Sequence, residues 1–490
     1  MALCQGKKIE EASIDQLQSY LSNGDITSQQ LAICYIQRIW QTDDYINAVL
    51  ELNPDFLEIA AAWALQGSIV PRDAHVVHRL REAGALLLGK ATLSEWADMR
   101  SNNYSEGYSA RGGQCRSAYN LTVNPGGSSS GSAVGVAANV FPFALGTETD
   151  GSIINPAERN AIVGLKPTVG LTSRAGVIPE SLNQDTVGVL AKSVRDAVYV
   201  LDAIYGPDER DNETSAQINH TPTGGYTHFL ANSKALRNAS FGIPWESFWR
   251  FASAEQLTTL TAMVNLIDEA GATIVNNTEL LDHETTVSQN GWNWDYGNEY
   301  TYIKSDFYRN INSYLAELND TNVRSLEDIV AYNYANDGTE GGYPWPLGTP
   351  AFYSGQDGLL ASLETKGVQD ETYWQALNFC RASTRERGID HALAQGPNGT
   401  KLDALLVPPD VGQSYQIAAQ AGYPVITIPA GVNAGSEMPY GFALIQSAWR
   451  EDALVKWASA IEDLMKETAY ERTLPRWLGY LQRNIFVINA

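Results

Sequence analysis

Residues 124–156 read NPGGSSSGSAVGVAANVFPFALGTETDGSIINP, and they place a glycine-rich loop that carries serine at each end of a short apolar stretch. The first loop is GGSSSGS and the second is TDGSI. Between them, SAVGVAANV predicts a helix of small residues, and FPFALGTET predicts a strand that leads into a tight turn at Asp150 and Gly151. Because only a helix and a strand separate the two loops, we expect them to converge on one point.

The segments before this stretch predict helices first and then alternating elements. SIDQLQSYLSNGD begins with the capping serine Ser13, TSQQLAICYIQRIWQTDDY begins with Thr27, and NPDFLEIAAAWAL follows. Next, DAHVVHRLREAG predicts an amphipathic helix and ALLLGKATL a short buried strand. This alternation predicts a mostly parallel sheet flanked by helices.

A chain of 490 residues is long enough for two or three domains or for one large α/β domain. Strand-like segments return late, in LDALLVPP, YPVITIPAG and YGFALIQS, so we expect a single domain over residues 1–490. Its expected parts are N-terminal helices (about 9–65), a core (about 74–205), a helical and loop-rich region (about 205–400), and closing strands with a helix (about 401–468). In the loop-rich region, Trp292 and Trp294 either line a pocket or simply pack.

The charge balance excludes some classes of partner. Lys and Arg total 33 and Asp and Glu total 56, which gives a net charge of −23. Such a surface repels phosphate backbones and anionic membranes, so we expect neither nucleic acid nor membrane insertion. Small neutral or cationic substrates remain possible, and the oligomeric state is not indicated.

The sequence gives opposing indications of localisation. The first residues lack the apolar region of a secretion signal, so we expect a cytoplasmic protein. The acidic composition together with several Asn-x-Ser/Thr triplets would also suit a secreted, glycosylated enzyme. These triplets begin at Asn103, Asn120, Asn212, Asn219, Asn238, Asn276, Asn319 and Asn398.

Metal and cofactor sites are not indicated. The four cysteines are far apart and form no CxxC motif, which argues against a zinc site and against a disulfide framework. His75 and His78 fall among charged helix formers, where polar surface positions are the simpler interpretation. GGSSSGS lacks the Lys-Ser/Thr ending of a phosphate-binding loop, so nucleotide binding is a weak alternative.

Ser152 is the candidate nucleophile for acyl transfer. The turn that carries it offers consecutive backbone N–H groups, which can stabilise an oxyanion by about 3–4 kcal/mol per donor. A serine hydroxyl needs a base, yet neither loop has a nearby histidine and no GxSxG motif occurs. Ser128 could relay the proton to a neutral lysine. Alternatively, both loops are only tight connections built from small residues.

Residues 126–168 closely resemble the signature of the amidase signature family, whose members hydrolyse carboxamides through a Ser–cis-Ser–Lys triad. The likeness extends to EASIDQLQSYLSNGDITSQQLAICYIQRI, LREAGALLLGKATLSEWAD and AGYPVITIPAG. The variants SEWAD, YSARGGQ and GTETDGSI look most like the peptide-amidase branch, which hydrolyses C-terminal peptide amides. The resemblance implies an α/β fold with a central mixed sheet and helices on both faces.

The same resemblance implies the roles of individual residues. Ser152 resembles the acylated nucleophile and Ser128 the relay serine, with a cis peptide bond between Gly127 and Ser128. It implies no metal and no cofactor, and a small-molecule or peptide amide as substrate. The backbone N–H groups implied for the oxyanion hole are those of Thr149, Asp150, Gly151 and Ser152.

The base of the triad is the exception. Spacing alone suggests Lys90 in ALLLGKATL, whereas in the family the triad lysine lies upstream, in a strand reading roughly GIPxxxKD. Here AAAWAL runs directly into QGSIVPRDAHVVHRL, and no lysine occurs between Lys8 and Lys90. The order of motifs places a missing segment of several dozen residues at Leu65 and Gln66.

Three explanations of this gap remain open. The chain derives from a mis-spliced or mispredicted transcript of an active amidase, or it is a diverged, inactive homologue. In the third, another lysine such as Lys90 takes over the role of base. A sheet that has lost a core strand is also expected to be less stable.

Overall fold

The computed structural model describes residues 3–53, 62–101, 105–287, 298–336, 340, 355–411, 414–468 and 472–475. Trp292 and Trp294 lie outside the described residues, as does most of the helix that NPDFLEIAAAWAL predicts. The part of that segment that is described, Trp63–Leu65, forms a short 3₁₀ turn.

Fifteen α-helices occur in the described part of the chain. In chain order they are α1 Ile14–Ser22, α2 Ser28–Ile46, α3 His75–Glu82, α4 Ser130–Ala137, α5 Ile154–Glu158, α6 Val194–Ile204, α7 Ala254–Glu269, α8 His283–Thr286, α9 Tyr300–Glu317, α10 Leu326–Ala335, α11 Asp357–Thr365, α12 Glu371–Thr384, α13 Asp390–Leu393, α14 Ser414–Ala421 and α15 Glu451–Lys466.

The strands are shorter, and most of the longer ones join a single sheet. They are β1 Leu3–Cys4, β2 Lys7–Lys8, β3 Val49–Leu52, β4 Gly89–Ala91, β5 Tyr108–Ser109, β6 Gly113–Gln114, β7 Phe143–Glu148, β8 Val163–Lys166, β9 Thr186–Ala191, β10 Ser240–Ile243, β11 Thr273–Asn276, β12 Ala404–Val407, β13 Val425–Val432 and β14 Pro439–Ile445.

The first two helices begin where the sequence predicts. The hydroxyl of Ser13 accepts a hydrogen bond from the N–H of Gln16, and the Gln16 side chain accepts from the N–H of Ser13. Thr27 and Gln30 make the same reciprocal pair at the start of α2. These capping boxes satisfy backbone donors that the first helical turn leaves free.

The central sheet has eight strands in the order β11-β10-β12-β14-β13-β8-β9-β7. Strand β10 runs parallel to β11 and β12, and the other neighbours are antiparallel. The predicted mixed α/β sheet is therefore confirmed, while the expectation of a mostly parallel sheet is wrong. Alternating helices and strands could not reveal that β13 and β14 pair as neighbouring antiparallel strands.

The segment ALLLGKATL also differs from its prediction. Only Gly89–Ala91 is a strand, and it pairs with β3 in a separate two-stranded sheet. Leu86 is 56% exposed, so the segment is not a buried strand of the central sheet.

Two apolar clusters account for most of the core. The larger one joins the central sheet to side chains of α4, α5, α6, α7 and α15. The smaller one is built from α9 to α12, and it includes Leu65 and Trp96. Burial of these side chains contributes about 1.5–3 kcal/mol each, before the entropy of ordering them is subtracted.

Strand β7, which leads to the second serine loop, lies at an edge of the central sheet. Its outward-facing backbone groups are bonded by serines of the neighbouring segment. The hydroxyl of Ser129 donates to the carbonyl of Thr147 at 3.0 Å and accepts from its N–H at 3.1 Å, and Ser132 donates to the carbonyl of Leu145 at 2.8 Å. Side chains thus take the place that another strand would fill.

Cysteine pairing corrects a further expectation. Cys4 and Cys34 form a disulfide that ties β1 to α2, although 30 residues separate them. Cys115 and Cys380 are free and buried. Sequence distance gave no indication of this pair, because the fold of the N-terminal segment brings the two residues together. Within the described ranges, no helix combines the length and the apolar character needed to cross a membrane.

Candidate active site

The two serine loops meet as the sequence predicts. The N–H of Ser129 donates to the carbonyl of Ser152 at 3.2 Å. The peptide bond between Gly127 and Ser128 is cis. Ser128 and Ser152 are buried, with 1% and 6% of their surface exposed. The helix α4 and the strand β7 therefore bring the expected relay and nucleophile to one end of the sheet.

A cavity of about 570 Å³ opens beside Ser152. Gly127, Asp150 and Gly151 also line it. Asn155 and Gln416 contribute neutral polar groups to its wall. A cavity of this size fits a small molecule or the end of a peptide.

The backbone N–H groups of Thr149, Asp150, Gly151 and Ser152 donate no hydrogen bond to another described residue. The next two N–H groups, by contrast, both donate to the Glu148 carboxylate, at 2.7 and 2.9 Å. The turn therefore keeps several consecutive donors uncommitted beside the Ser152 hydroxyl. Such donors can bind a developing oxyanion.

Gly151 is required by its surroundings. Its φ is +77°, and a Cβ at this position would lie 2.3 Å from the ring of Tyr415. A side chain would therefore meet both an unfavourable backbone conformation and an aromatic ring.

We expect Gly151→Ala to lower the rate at which a fluorophosphonate probe labels Ser152 by about 100-fold or more, because the turn that orients the oxyanion donors must shift. The measurement is labelling rate, with a circular dichroism melt to verify folding. Gly399→Ala is the matched control, since Gly399 has a φ of +76° and nothing within 4 Å of a Cβ. Equal labelling rates in the two variants would contradict this assignment.

Beneath the nucleophile turn lies a buried charge network that the sequence did not indicate. Lys166 is fully buried and donates to the carbonyl of Tyr423 at 2.8 Å. Burial lowers the pKa of Lys166 to about 8, while the charges of Glu148 and Glu451 oppose this shift. Because Glu148 also holds the N–H groups that follow Ser152, this network supports the geometry of the turn.

Carboxyl groups dominate the charged lining of the cavity. Burial raises the pKa of each of four of them, Glu106, Asp150, Glu180 and Glu299. Among the described lining residues, Arg159 is the only basic side chain. Sequence reasoning missed Glu106, Glu180 and Glu299, because they come from segments without a recognisable motif.

Glu106 packs directly against the relay loop. Its carboxylate accepts a hydrogen bond from the Ser94 hydroxyl at 2.9 Å. A Cβ added to Gly127 would lie only 1.9 Å from a carboxylate oxygen of Glu106, so the first loop also requires glycine there. The N–H of Ser94 in turn donates to the carbonyl of Ser128 at 3.0 Å.

One wall of the cavity is an unusual turn. Trp96, Ala97 and Asp98 have φ values of 55°, 52° and 75°, in the left-handed region that non-glycine residues rarely adopt. A buried ion pair brackets this turn, because Arg100 donates to Glu95 at 2.7 Å. Arg100 also donates to Glu340 at 3.0 Å. This network holds the backbone that lines the cavity.

Lys90 does not join the site. It lies in β4 opposite Glu51. No lysine is present among the described residues that line the cavity. Spacing alone therefore suggested the wrong candidate for a base in this cavity.

Comparisons with known proteins indicate one family. The family model for amidases matches residues 54–333. A Schizosaccharomyces pombe protein named as an amidase is 50% identical over 99% of this chain and 90% of the relative. An Arabidopsis thaliana protein named as an amidase is 36% identical, over 93% of this chain and 90% of the relative.

Solved structures give the same result. The peptide amidase from Stenotrophomonas maltophilia is 34% identical and superposes with a TM-score of 0.80, covering 95% of this chain and 98% of that one. The alignment with the S. pombe protein runs over 531 residues, whereas this chain has 490, so at least 41 aligned positions have no counterpart here. From its sequence, its mixed α/β sheet and these relatives, the chain belongs to the amidase signature family, whose enzymes hydrolyse amides.

Proposed function

We propose that the protein hydrolyses carboxamides through an acyl-enzyme formed at Ser152, with Ser128 as proton relay. The observation that carries this proposal is the turn at residues 149–152, where the nucleophile lies beside uncommitted backbone donors at the wall of a cavity. Attack by the Ser152 oxygen on the amide carbon would create an oxyanion, and these N–H groups would stabilise it. The Ser152 proton would pass to Ser128 and onward to a base, and later to the leaving amine.

C-terminal amides of peptides, or small carboxamides of similar shape, are the proposed substrates. The support is the similarity to the S. maltophilia peptide amidase, which covers nearly the whole of both chains. The volume of the cavity, about 570 Å³, suits one or two residues of such a substrate.

We infer that the general base belongs to a segment that this chain lacks. Two observations support this inference. No lysine occurs between Lys8 and Lys90, and at least 41 positions of the S. pombe relative have no counterpart in this chain. Without a base the proposed reaction is slow, because a neutral hydroxyl must lose its proton during attack.

We further infer that the missing segment precedes Ala62 rather than following Leu65. Residues 62–69 form one locally bonded stretch, in which the N–H of Leu65 donates to Ala62 and that of Ser68 to Leu65. The N–H of Ile69 donates to Asp320, and Ala62 and Leu65 are buried in the smaller core cluster. Genomic DNA tests this inference. An in-frame segment encoding a GIPxxxKD strand between the codons for Asn53 and Ala62 would support it, and one between the codons for Leu65 and Gly67 would refute it.

Fluorophosphonate labelling tests the proposed nucleophile. We expect slow labelling of the wild type and complete loss of labelling in Ser152→Ala, since the probe reacts with an activated serine hydroxyl. Ser436→Ala is a suitable control, because Ser436 lies in the loop between β13 and β14. Labelling that persists in Ser152→Ala would refute the assignment.

A catalytically silent binding protein is the second candidate function. The absence of any lysine from the described lining of the cavity favours it. A folded wild type that binds amides but is never labelled, even at high probe concentration, would support this candidate over hydrolysis.

A further inference from the structure

The cavity beside Ser152 contains three carboxyl groups that have no cationic partner. They belong to Asp150, Glu180 and Glu299, and none forms an ion pair with a described residue. Other buried acids of this protein do have such partners: Glu95 and Glu340 contact Arg100, and Asp211 contacts Arg174. At those sites an arginine neutralises the carboxylates, whereas no described cation pairs with the three carboxyl groups on this wall.

Two of these groups, Asp150 and Glu299, are in direct contact. Burial and the negative charge of Asp150 both raise the pKa of Glu299, which favours a proton on that carboxyl group. Neutral donors hold each of them in place. Gln416 donates to Asp150 at 2.7 Å, and Gln184 donates to Glu299 at 2.8 Å. The pair is therefore fixed in position without a compensating positive charge.

The surroundings of this pair are mainly acidic. Glu106 also lines the cavity, and Arg159 is the only basic side chain among the described lining residues. The titratable groups concerned are Asp98 of the left-handed turn, Glu180 and Asp185 of the segment before β9, Glu299 at the start of α9, Asp150 of the nucleophile turn, and Tyr415 of α14. Burial raises the pKa of Asp185 to about 6, and the bonds that it accepts from Thr149 and from the backbone oppose this shift. A positive charge at this place would favour the ionised form of each carboxyl group.

We propose that the cavity selects carboxamides that carry an ammonium or guanidinium group, which Asp150, Glu180 and Glu299 hold beside the nucleophile. The inference rests on the proposed function, because it takes the cavity with Ser152 as the substrate site. The cavity beside Ser152 defines the substrate site, and the acidic groups determine which substrates this site prefers. On binding, the cation favours the ionised form of Glu299, and the proton held by that carboxyl group leaves to solvent.

The net charge of the protein acts in the same direction. A chain with a charge of −23 attracts cations and repels anions over its whole surface. This long-range attraction is screened by salt, whereas contact with buried carboxylates is screened much less. Salt therefore separates the two contributions in an experiment.

Calorimetric titration with two matched amides tests the proposal. N-acetyl-lysinamide carries an ammonium group, and N-acetyl-norleucinamide has the same carboxamide without the charge. We expect the lysine compound to bind about tenfold more tightly or better at 0.15 M salt, since hydrogen bonds to charged groups are the stronger class. Titration in two buffers with different ionisation enthalpies should also reveal release of a proton.

Substitutions of single carboxyl groups show which residues produce the preference for the lysine compound. Glu299→Gln retains a donor for the Asp150 carboxylate but removes one ionisable group, so the preference for the lysine compound should fall to about threefold or less. Glu180→Gln provides an independent test from another segment if Glu299→Gln melts at a lower temperature. Glu269→Gln makes the same charge change on the exposed end of α7 and should leave the preference unchanged.

Equal affinity for the two amides, no measurable binding of either, or an unchanged preference in Glu299→Gln and Glu180→Gln would each overturn the proposal. Its failure is distinguishable from failure of the proposed function. Labelling at Ser152 with equal amide affinities would retain the hydrolase and remove the cation preference. Discrimination between the amides without labelling would retain the preference and remove the hydrolase.

Discussion

Grafting the missing segment of the S. pombe relative between Asn53 and Ala62 is expected to increase amide hydrolysis by about 10⁴-fold or more. Removal of the base from a hydroxyl-nucleophile triad costs several orders of magnitude in kcat, so its return should recover a similar factor. The two serines and the backbone donors are already assembled in this chain. The measurement is release of ammonia from a C-terminal peptide amide.

The control for this experiment is the same graft with its triad lysine changed to methionine. It should fold as the unaltered graft does, without restoring the rate. A wild-type chain that already hydrolyses the amide as fast as the graft would contradict the inferred absence of a base. A fast methionine graft would show that another group, such as the Glu106 carboxylate beside Gly127, accepts the proton.

Lys166→Met is expected to lower the free energy of unfolding by about 3–5 kcal/mol, the usual cost of removing one partner from a buried charge network. Glu148 and Glu451 would then remain in the core without the positive charge that attracts them. Urea denaturation followed by circular dichroism measures the loss. Lys466→Met is the matched control, because Lys466 is exposed and its bond to Glu462 is a surface pair worth less than about 1 kcal/mol.

The pH dependence provides a second measure of the same residue. Folding lowers the pKa of Lys166 from 10.5 to about 8, so between these values the unfolded chain binds more protons than the folded one. The free energy of unfolding of the wild type should therefore gain a contribution from Lys166 as pH rises from about 8 to 10.5, and Lys166→Met should lack it. An equal stability of the two proteins at every pH would rule out the network as a stabilising element.

The candidate nucleophile and relay were predictable because they lie close together in sequence. One helix and one strand separate Ser128 from Ser152, and the small residues of α4 allow it to pack fully buried beside β7. The helix starts at Ser13 and Thr27 were predictable for a similar reason. A capping box is formed by hydrogen bonds between residues only three positions apart, so the short sequence pattern is enough to predict it.

The lack of a lysine between Lys8 and Lys90 was also readable from the sequence, since it depends on which residues are present and not on where they lie. Its position along the chain was less readable. The order of motifs suggested Leu65 and Gln66, whereas local bonding and burial favour the residues before Ala62. A short apolar run such as AAAWAL has the same pattern whether the missing segment comes before it or after it.

Only the tertiary structure decided the chemistry of the cavity wall. Glu180, Glu299 and Tyr415 come from segments far apart in the chain, and no motif marks any of them as part of a site. The same holds for the network around Lys166 and for the disulfide between Cys4 and Cys34. Their neighbours are set by the order of strands in the sheet and by long-range packing, neither of which has a local signature.

The sequence by itself therefore determined the family, the paired serines and the lack of a lysine between Lys8 and Lys90, because these depend on residue identity and short spacing. Folding determined which distant carboxyl groups line the cavity beside Ser152, and these groups are the basis of the proposed preference for cationic amides. The physical reason is that electrostatic and packing interactions act through space, across distances in the chain that local patterns do not encode.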